Sequence, residues 1–281
     1  MSLLATRRTA AQRRPPALGV IVSALVLGML LLAALAPTLF TPLDPLDATI
    51  GEALQGPSAE HLFGTDKSGR DVFSRVVHGA RYSLVVGFGA SALALVVGLV
   101  IGIASGLSPK PVDTVIGCII VIAMAFPEFL VALLVIAIVG AGERSLVVAI
   151  AVAAIPAYAR VARSQTLVVA RASYVTAATS LGVPRWRSIV RHVVPNTLGP
   201  LLVMAAIGVG TAIVSAAGLS FLGLGPAAPT PEWGVILSEG RNLLDRAPWV
   251  AFFPGLVITL TVISTSIVGR ALRGGSRAPR R

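Results

Sequence analysis

Residues 82–107 read YSLVVGFGASALALVVGLVIGIASGL, twenty-six positions without one charged side chain. A helix lying on the surface of a soluble domain shows a polar face every three or four residues, and this stretch shows none. It is also longer than the ~20 residues that a helix needs to cross the hydrocarbon of a bilayer. Comparable apolar runs occupy 18–40, 112–139, 145–159, 197–219 and 249–269. The run at 145–159 is short and contains Pro156, which a membrane helix tolerates when neighbours satisfy the freed carbonyl, and it continues as helix toward the arginines that follow. The composition agrees, with 55% hydrophobic and 12% charged residues. The expected fold class is all-α, a polytopic membrane protein with six transmembrane helices. Its expected organisation is a basic N-terminus at 1–17, a first helix at 18–40, a connecting segment at 41–81, a five-helix core at 82–269 and a basic tail at 270–281.

The net charge of +11 would suit a nucleic-acid partner if it were gathered on one soluble face, but it follows the apolar runs instead. Arg7, Arg8, Arg13 and Arg14 precede the first run, and Lys110 separates the second from the third. Arg160, Arg163, Arg171, Arg185, Arg187 and Arg191 lie within 160–196, and Arg270, Arg273, Arg277, Arg280 and Arg281 follow the last run. These four segments hold sixteen basic residues and no acidic one. The segments 41–81, 140–144 and 220–248 hold ten of the twelve acids against seven basic residues. The positive-inside rule therefore sets both termini and 160–196 in the cytoplasm of a multi-pass cell-membrane protein. The lipid bilayer is its immediate partner, and no nucleic acid is expected. Ala34-Leu35-Ala36 after a basic start also resembles a signal-peptide cleavage site, but the apolar run exceeds a usual signal core, so retention as a first span is expected.

GTDKSGRD at 64–71 has the Gly-x-x-x-x-Gly frame of a phosphate-cradling loop. Arg70 and Asp71 replace the Lys and the Mg-binding hydroxyl, and no β-branched strand precedes Gly64. The charge rule also turns this segment away from cellular ATP. Gly64 and Gly69 suit a tight turn, with Asp66, Arg70 and Asp71 making local polar contacts. His61, His78 and His192 are scattered, Cys118 is single, and no H-E-x-x-H or G-x-S-x-G occurs. No catalytic, cofactor or metal residue is therefore expected.

The segment 170–196, ARASYVTAATSLGVPRWRSIVRHVVPN, is too long for a plain connection and carries its own helix signals. Ser173 can cap a short helix in which Tyr174, Ala177, Ala178 and Leu181 form one apolar stripe with small residues at its centre. Gly182 suits a left-handed cap, and Pro184 suits the start of a second helix ending near Pro195. Such a stripe fits either a groove on a partner or the membrane surface, and spacing alone leaves both open.

Thr176-Ala177-Ala178, three residues, Gly182, and then Val193-Val194-Pro195-Asn196 resemble the coupling loop of binding-protein-dependent ABC importer permeases. HLFGTDKSGRDVFSRVVHGARYSL at 61–84, LSFLGLGPAAPTPEWG at 219–234 and PWVAFFPGL at 248–256 resemble the dipeptide, oligopeptide and nickel branch of that family. The resemblance runs from about residue 20 to 269. It implies a type I ABC importer permease fold and no ATPase activity in this chain. It also implies a second homologous permease subunit, two cytoplasmic ATP-binding subunits and an extracytoplasmic substrate-binding protein. Tyr174, Thr176, Ala177, Ala178, Leu181, Gly182 and Arg185 would couple to the ATPases, and di- or oligopeptides would be the solute, with nickel or another small solute as the alternative. Thr176 stands where the pattern has Glu, and Ala216 where it has an acid.

Glu128, in AFPEFLVAL, is the one acid deep within a span. Intramembrane acids are costly unless paired, so it is the candidate for the translocation path or for a contact with a neighbouring helix. A gradient-driven transporter is the reading of a different class. It would be expected to show more intramembrane ionisable groups and internal repeats.

Overall fold

The computed structural model describes residues 17–275. Arg7, Arg8, Arg13, Arg14, Arg277, Arg280 and Arg281 lie outside the described residues. Within them, regular structure is helical throughout, apart from one bridge between Thr65 and Asp71. Five helices are long and apolar enough to cross a membrane, and one bent pair makes a sixth when counted as a single span.

The first helix, α1 (Ala17–Leu35), stops earlier than residue 40, and Pro37 opens a short 3-10 turn in its place. Pro disfavours helix in the residue before it, which the length of an apolar run does not register. The second, α2 (Val72–Leu107), begins ten residues before the expected start at 82. Asp71 caps it by accepting from the Ser74 amide at 2.6 Å. Arg75 and His78 belong to its first turns, so hydropathy alone discounts them.

The expected span at 112–139 is two helices, α3 (Lys110–Met124) and α4 (Glu128–Val139), bent by 90° at the break. Pro127 supplies no amide to the ladder and disfavours helix in the residue before it, so the run turns although it is apolar on both sides of the break. After it, α5 (Glu143–Ala170) passes through Pro156 without a break.

The loop carries α6 (Ser173–Ser180) and α7 (Arg185–Ser188). The second helix does not end near Pro195. It passes through a π turn at Ile189–Val193 into α8 (Val194–Phe221), so Pro195 lies inside one continuous helical run from Arg185 to Phe221, directly after the π turn. The segment 220–248 holds an unanticipated short helix, α9 (Trp233–Gly240). The last helix, α10 (Trp249–Gly275), carries the first six residues of the expected tail as helix.

The largest core joins α2, α4, α5 and α8, and its most extensive contact is between α2 and α5. Small residues make that contact close: a Cβ on Gly102 would overlap the Ala162 methyl and come within 2.6 Å of the Ala159 carbonyl oxygen. A Cβ on Gly87 would likewise meet Ile213 on α8, and one on Gly210 would meet Thr265 on α10. At the far end of α2, Arg163 of α5 donates to Asp113 of α3 at 2.6 and 2.8 Å, and Ser105 of α2 donates to the same carboxylate at 2.8 Å. These bonds join three helices at the end from which the loop 170–196 hangs.

Candidate functional site

Three features are spread along the bundle. At the N-terminal end of α2, GTDKSGRD folds into a compact clasp. Gly64 and Gly69 have φ of +72° and +78°. Asp66 is buried and accepts from the Ser68 amide at 2.7 Å, the Arg70 amide at 3.1 Å, Arg70 Nε at 2.7 Å and Arg75 Nη1 at 2.7 Å. Arg70 Nη2 donates to Glu239 Oε1 at 3.2 Å. Glu239 Oε2 lies 2.6 Å from Arg75 Nη1, a charge contact without the angle of a hydrogen bond. Two guanidinium groups and two carboxylates thus neutralise one another away from water, linking the start of α2 to α9.

Asp71 takes a second bond from His61 Nδ1 at 2.9 Å, with Glu52 at 3.4 Å from the other ring nitrogen. The hydrogen bond to Asp71 is the main reason the His61 imidazole holds its proton above the ordinary histidine range. Trp249 donates to the Thr65 carbonyl at 3.0 Å, fastening α10 to the same turn. Glu232 caps α9 by accepting from the Val235 amide at 3.0 Å, and burial pushes its carboxyl above the usual glutamate range.

Between the ends lies a cavity of about 930 Å³ bounded by α2, α4, α5 and α8. Glu128, the first residue of α4, is exposed into it, and the wall also carries Ser91, Tyr158, Gln165, Asn196 and Thr211. The hydroxyls of Ser91 and Tyr158 lie 3.1 Å apart, and Ser91 donates to the Ala205 carbonyl at 3.0 Å.

At the other end of the bundle, α6 is tied down on one side only. Val175 is buried with Val169 and Val193, while Tyr174 and Ala177 are exposed and Leu181 is 84% exposed. Gly182 ends the helix at φ +84°, with open space around its α-carbon. Arg185 opens α7, and Arg187 stacks its guanidinium 5.5 Å from the exposed Trp186 ring. Thr176 reaches back to the Ala172 carbonyl at 3.4 Å.

The clasp residues Gly64, Asp66, Gly69, Arg70 and Asp71 therefore gather in one place, and Tyr174 to Arg185 gather in another. Glu128 joins neither. Arg75, Glu239 and His61 were missed as parts of the clasp. The one signal for them was charge within otherwise apolar or turn-forming stretches, and their partners lie up to 169 residues away in sequence.

Residues 98–276 match the family model described as the binding-protein-dependent transport system inner membrane component. The dipeptide transport system permease protein DppC of Alkalihalophilus pseudofirmus is 41% identical over 90% of this chain and 83% of its own length. The glutathione transport system permease protein GsiD of Pectobacterium atrosepticum is 40% identical over 78% of this chain and 73% of its own. The di/tripeptide transport system permease protein DppC of Pseudomonas aeruginosa is also 40% identical, over 78% of this chain and 73% of its own length. Among solved structures, the MetNI methionine ABC transporter in inward-facing conformations aligns with a TM-score of 0.59 at 21% identity, covering 72% of this chain and 97% of that one. An amino acid ABC transporter aligns at 0.53 and 17% identity, covering 73% and 94%. These two likenesses bear on the fold alone, which is that of ABC transporter permeases.

Proposed function

The chain belongs to the family of binding-protein-dependent transport system inner membrane components, and from that premise we propose that it forms the translocation path for di- or oligopeptides in an ATP-driven importer. The observation that carries this reading is the likeness to a dipeptide permease over 90% of this chain and to a glutathione permease over 78% of it. In this reading, both termini and 160–196 face the cytoplasm, and the clasp faces outward. The chain is not itself an ATPase. A second permease, two ATP-binding subunits and an extracytoplasmic binding protein complete the importer.

Tyr174, Thr176, Ala177, Ala178, Leu181, Gly182 and Arg185 would lie against an ATP-binding subunit. The exposed stripe of α6, fixed from behind by Val175, supports this, because a helix held by one face can transmit force through the other. ATP-driven closure of the ATPases would move α6, and with it the ends of α5 and α8. Reversing a two-state preference from 1:99 to 99:1 takes ~5.5 kcal/mol of differential stabilisation, within reach of two ATP-binding events. Gly64, Asp66, Gly69, Arg70 and Asp71 hold the outer end closed upon itself, and Glu128 lies on the path.

The test is mass spectrometry of whatever co-purifies with the tagged chain in mild detergent. A second permease and ATP-binding subunits are expected, with ATP-dependent dipeptide uptake by the reconstituted complex. A folded chain that purifies alone, repeatedly and from intact membranes, overturns the reading.

A further inference from the structure

An unpaired carboxylate within a membrane bundle is expensive, and Glu128 has no hydrogen bond or ion pair to any described residue of this chain. It is placed there by the break at Pro127. Were α3 and α4 one continuous helix, residue 128 would be an ordinary mid-helix position; the break makes it the leading residue of a half-helix at the cavity wall. The remaining lining is apolar or neutral and polar, so Glu128 is the single charge in the cavity. A cavity of about 930 Å³ is in the range that encloses a small solute.

One carboxylate among hydroxyls and amides recognises an ammonium group. A transition metal would be held by imidazole or thiolate ligands, and the wall presents Ser91, Tyr158, Gln165 and Asn196 instead. We infer that Glu128 is the residue that receives the α-ammonium end of the peptide in transit, a step that rests on the peptide-import reading above. The neutral polar wall accommodates the amide that follows. Selection in the membrane thus acts on a free amino terminus, because the rest of the lining, apolar side chains such as Phe129 and Met204 with hydroxyls and amides, offers no second charge.

The experiment labels the complete, ATP-dependent complex with a hydrophobic carbodiimide. The complex is held in nanodiscs of phosphatidylcholine and phosphatidylglycerol, neither of which presents a primary ammonium. Modification at Glu128 is read by mass, with Glu128→Gln as the blank. A dialanine with a free amino terminus is expected to slow labelling about ten-fold, the effect of one charge-assisted hydrogen bond, while N-formyl dialanine leaves it unchanged. In uptake by the same complex, Glu128→Gln is expected to raise KM for dialanine by a similar factor, and Glu128→Asp to recover part of it. Equal protection by the two peptides, protection by neither, or no labelling because a neighbouring subunit pairs the carboxylate would each overturn the assignment. Because only a complex that already imports dipeptide with ATP is labelled, these outcomes are separate from a failure of the import reading itself.

Discussion

Gly69 and Gly182 both have left-handed backbone, yet their surroundings differ, and so do the consequences of replacing them. A Cβ on Gly69 would overlap the Thr49 carbonyl oxygen, so that position is closed by sterics as well as by φ. Gly182 has open space around it, so only its φ of +84° resists a side chain. Gly182→Val is therefore expected to leave the chain folded while disturbing the angle at which α6 meets α7, since β-branched residues strongly disfavour that region. The measurement is the ratio of peptide imported to ATP hydrolysed in the reconstituted complex, expected to fall several-fold; an unchanged ratio removes Gly182 from coupling.

His61 makes a second prediction at this scale. Its folded pKa is raised, chiefly by the bond to Asp71 and also by the charges of Asp71 and Glu52. Its stabilising contribution is thus fully present below the unfolded value of about 6.5 and is lost as pH rises through the folded value. The melting temperature in detergent should fall as pH rises from about 6 to about 8, and His61→Gln should flatten that slope.

At the scale of elements, the bundle depends on how closely helices approach. Gly102 lets α2 approach α5 until its α-carbon faces the Ala162 methyl. Gly102→Val should overpack this contact at a cost of about 1–3 kcal/mol, seen as a lower melting temperature. Ala162→Gly in the same chain should recover part of the loss by making room; failure to recover any would mean that the strain lies elsewhere. The break between α3 and α4 works in the opposite direction, giving up helical hydrogen bonds so that α4 can start at the cavity. Two Pro residues illustrate how position decides the outcome. Pro127 lies in the break between two helices, whereas Pro195 follows a π turn inside one continuous run, and the helix passes through it.

Across the molecule, the Asp66, Arg70, Arg75 and Glu239 group ties the start of α2 to α9, which itself lies between α8 and α10 in the chain. Removing one carboxylate leaves two buried guanidinium groups against a single acid. Glu239→Gln should destabilise the protein by about 3–5 kcal/mol. Pairing it with Arg75→Gln, which restores neutrality, should return much of the loss. Thermal unfolding of the single and double variants in the same detergent is the check, and a double variant no better than the single would show that the group acts by shape instead of charge. The two ends of the bundle are built differently. The clasp end is cross-linked by charge and buried turns, while α6 projects from the loop end with one face uncovered.

Apolar runs and the turn chemistry of Gly64, Gly69 and Gly182 are local properties, and they carried the all-helical membrane fold and the left-handed backbone at those three glycines. What depended on distant partners was not legible. Arg75 reads as a lone charge at the edge of a span until α9 brings Glu239 beside it, and α9 itself lies in a segment with no long apolar run to announce it. The break at 125–127 was hidden because a prolyl residue can bend, start or merely interrupt a helix, and only packing selects among these. Hydrophobic length, charge asymmetry and backbone strain act over a few residues and can be read along a chain; the neutralisation of a buried charge acts through space, and only the tertiary structure decided it.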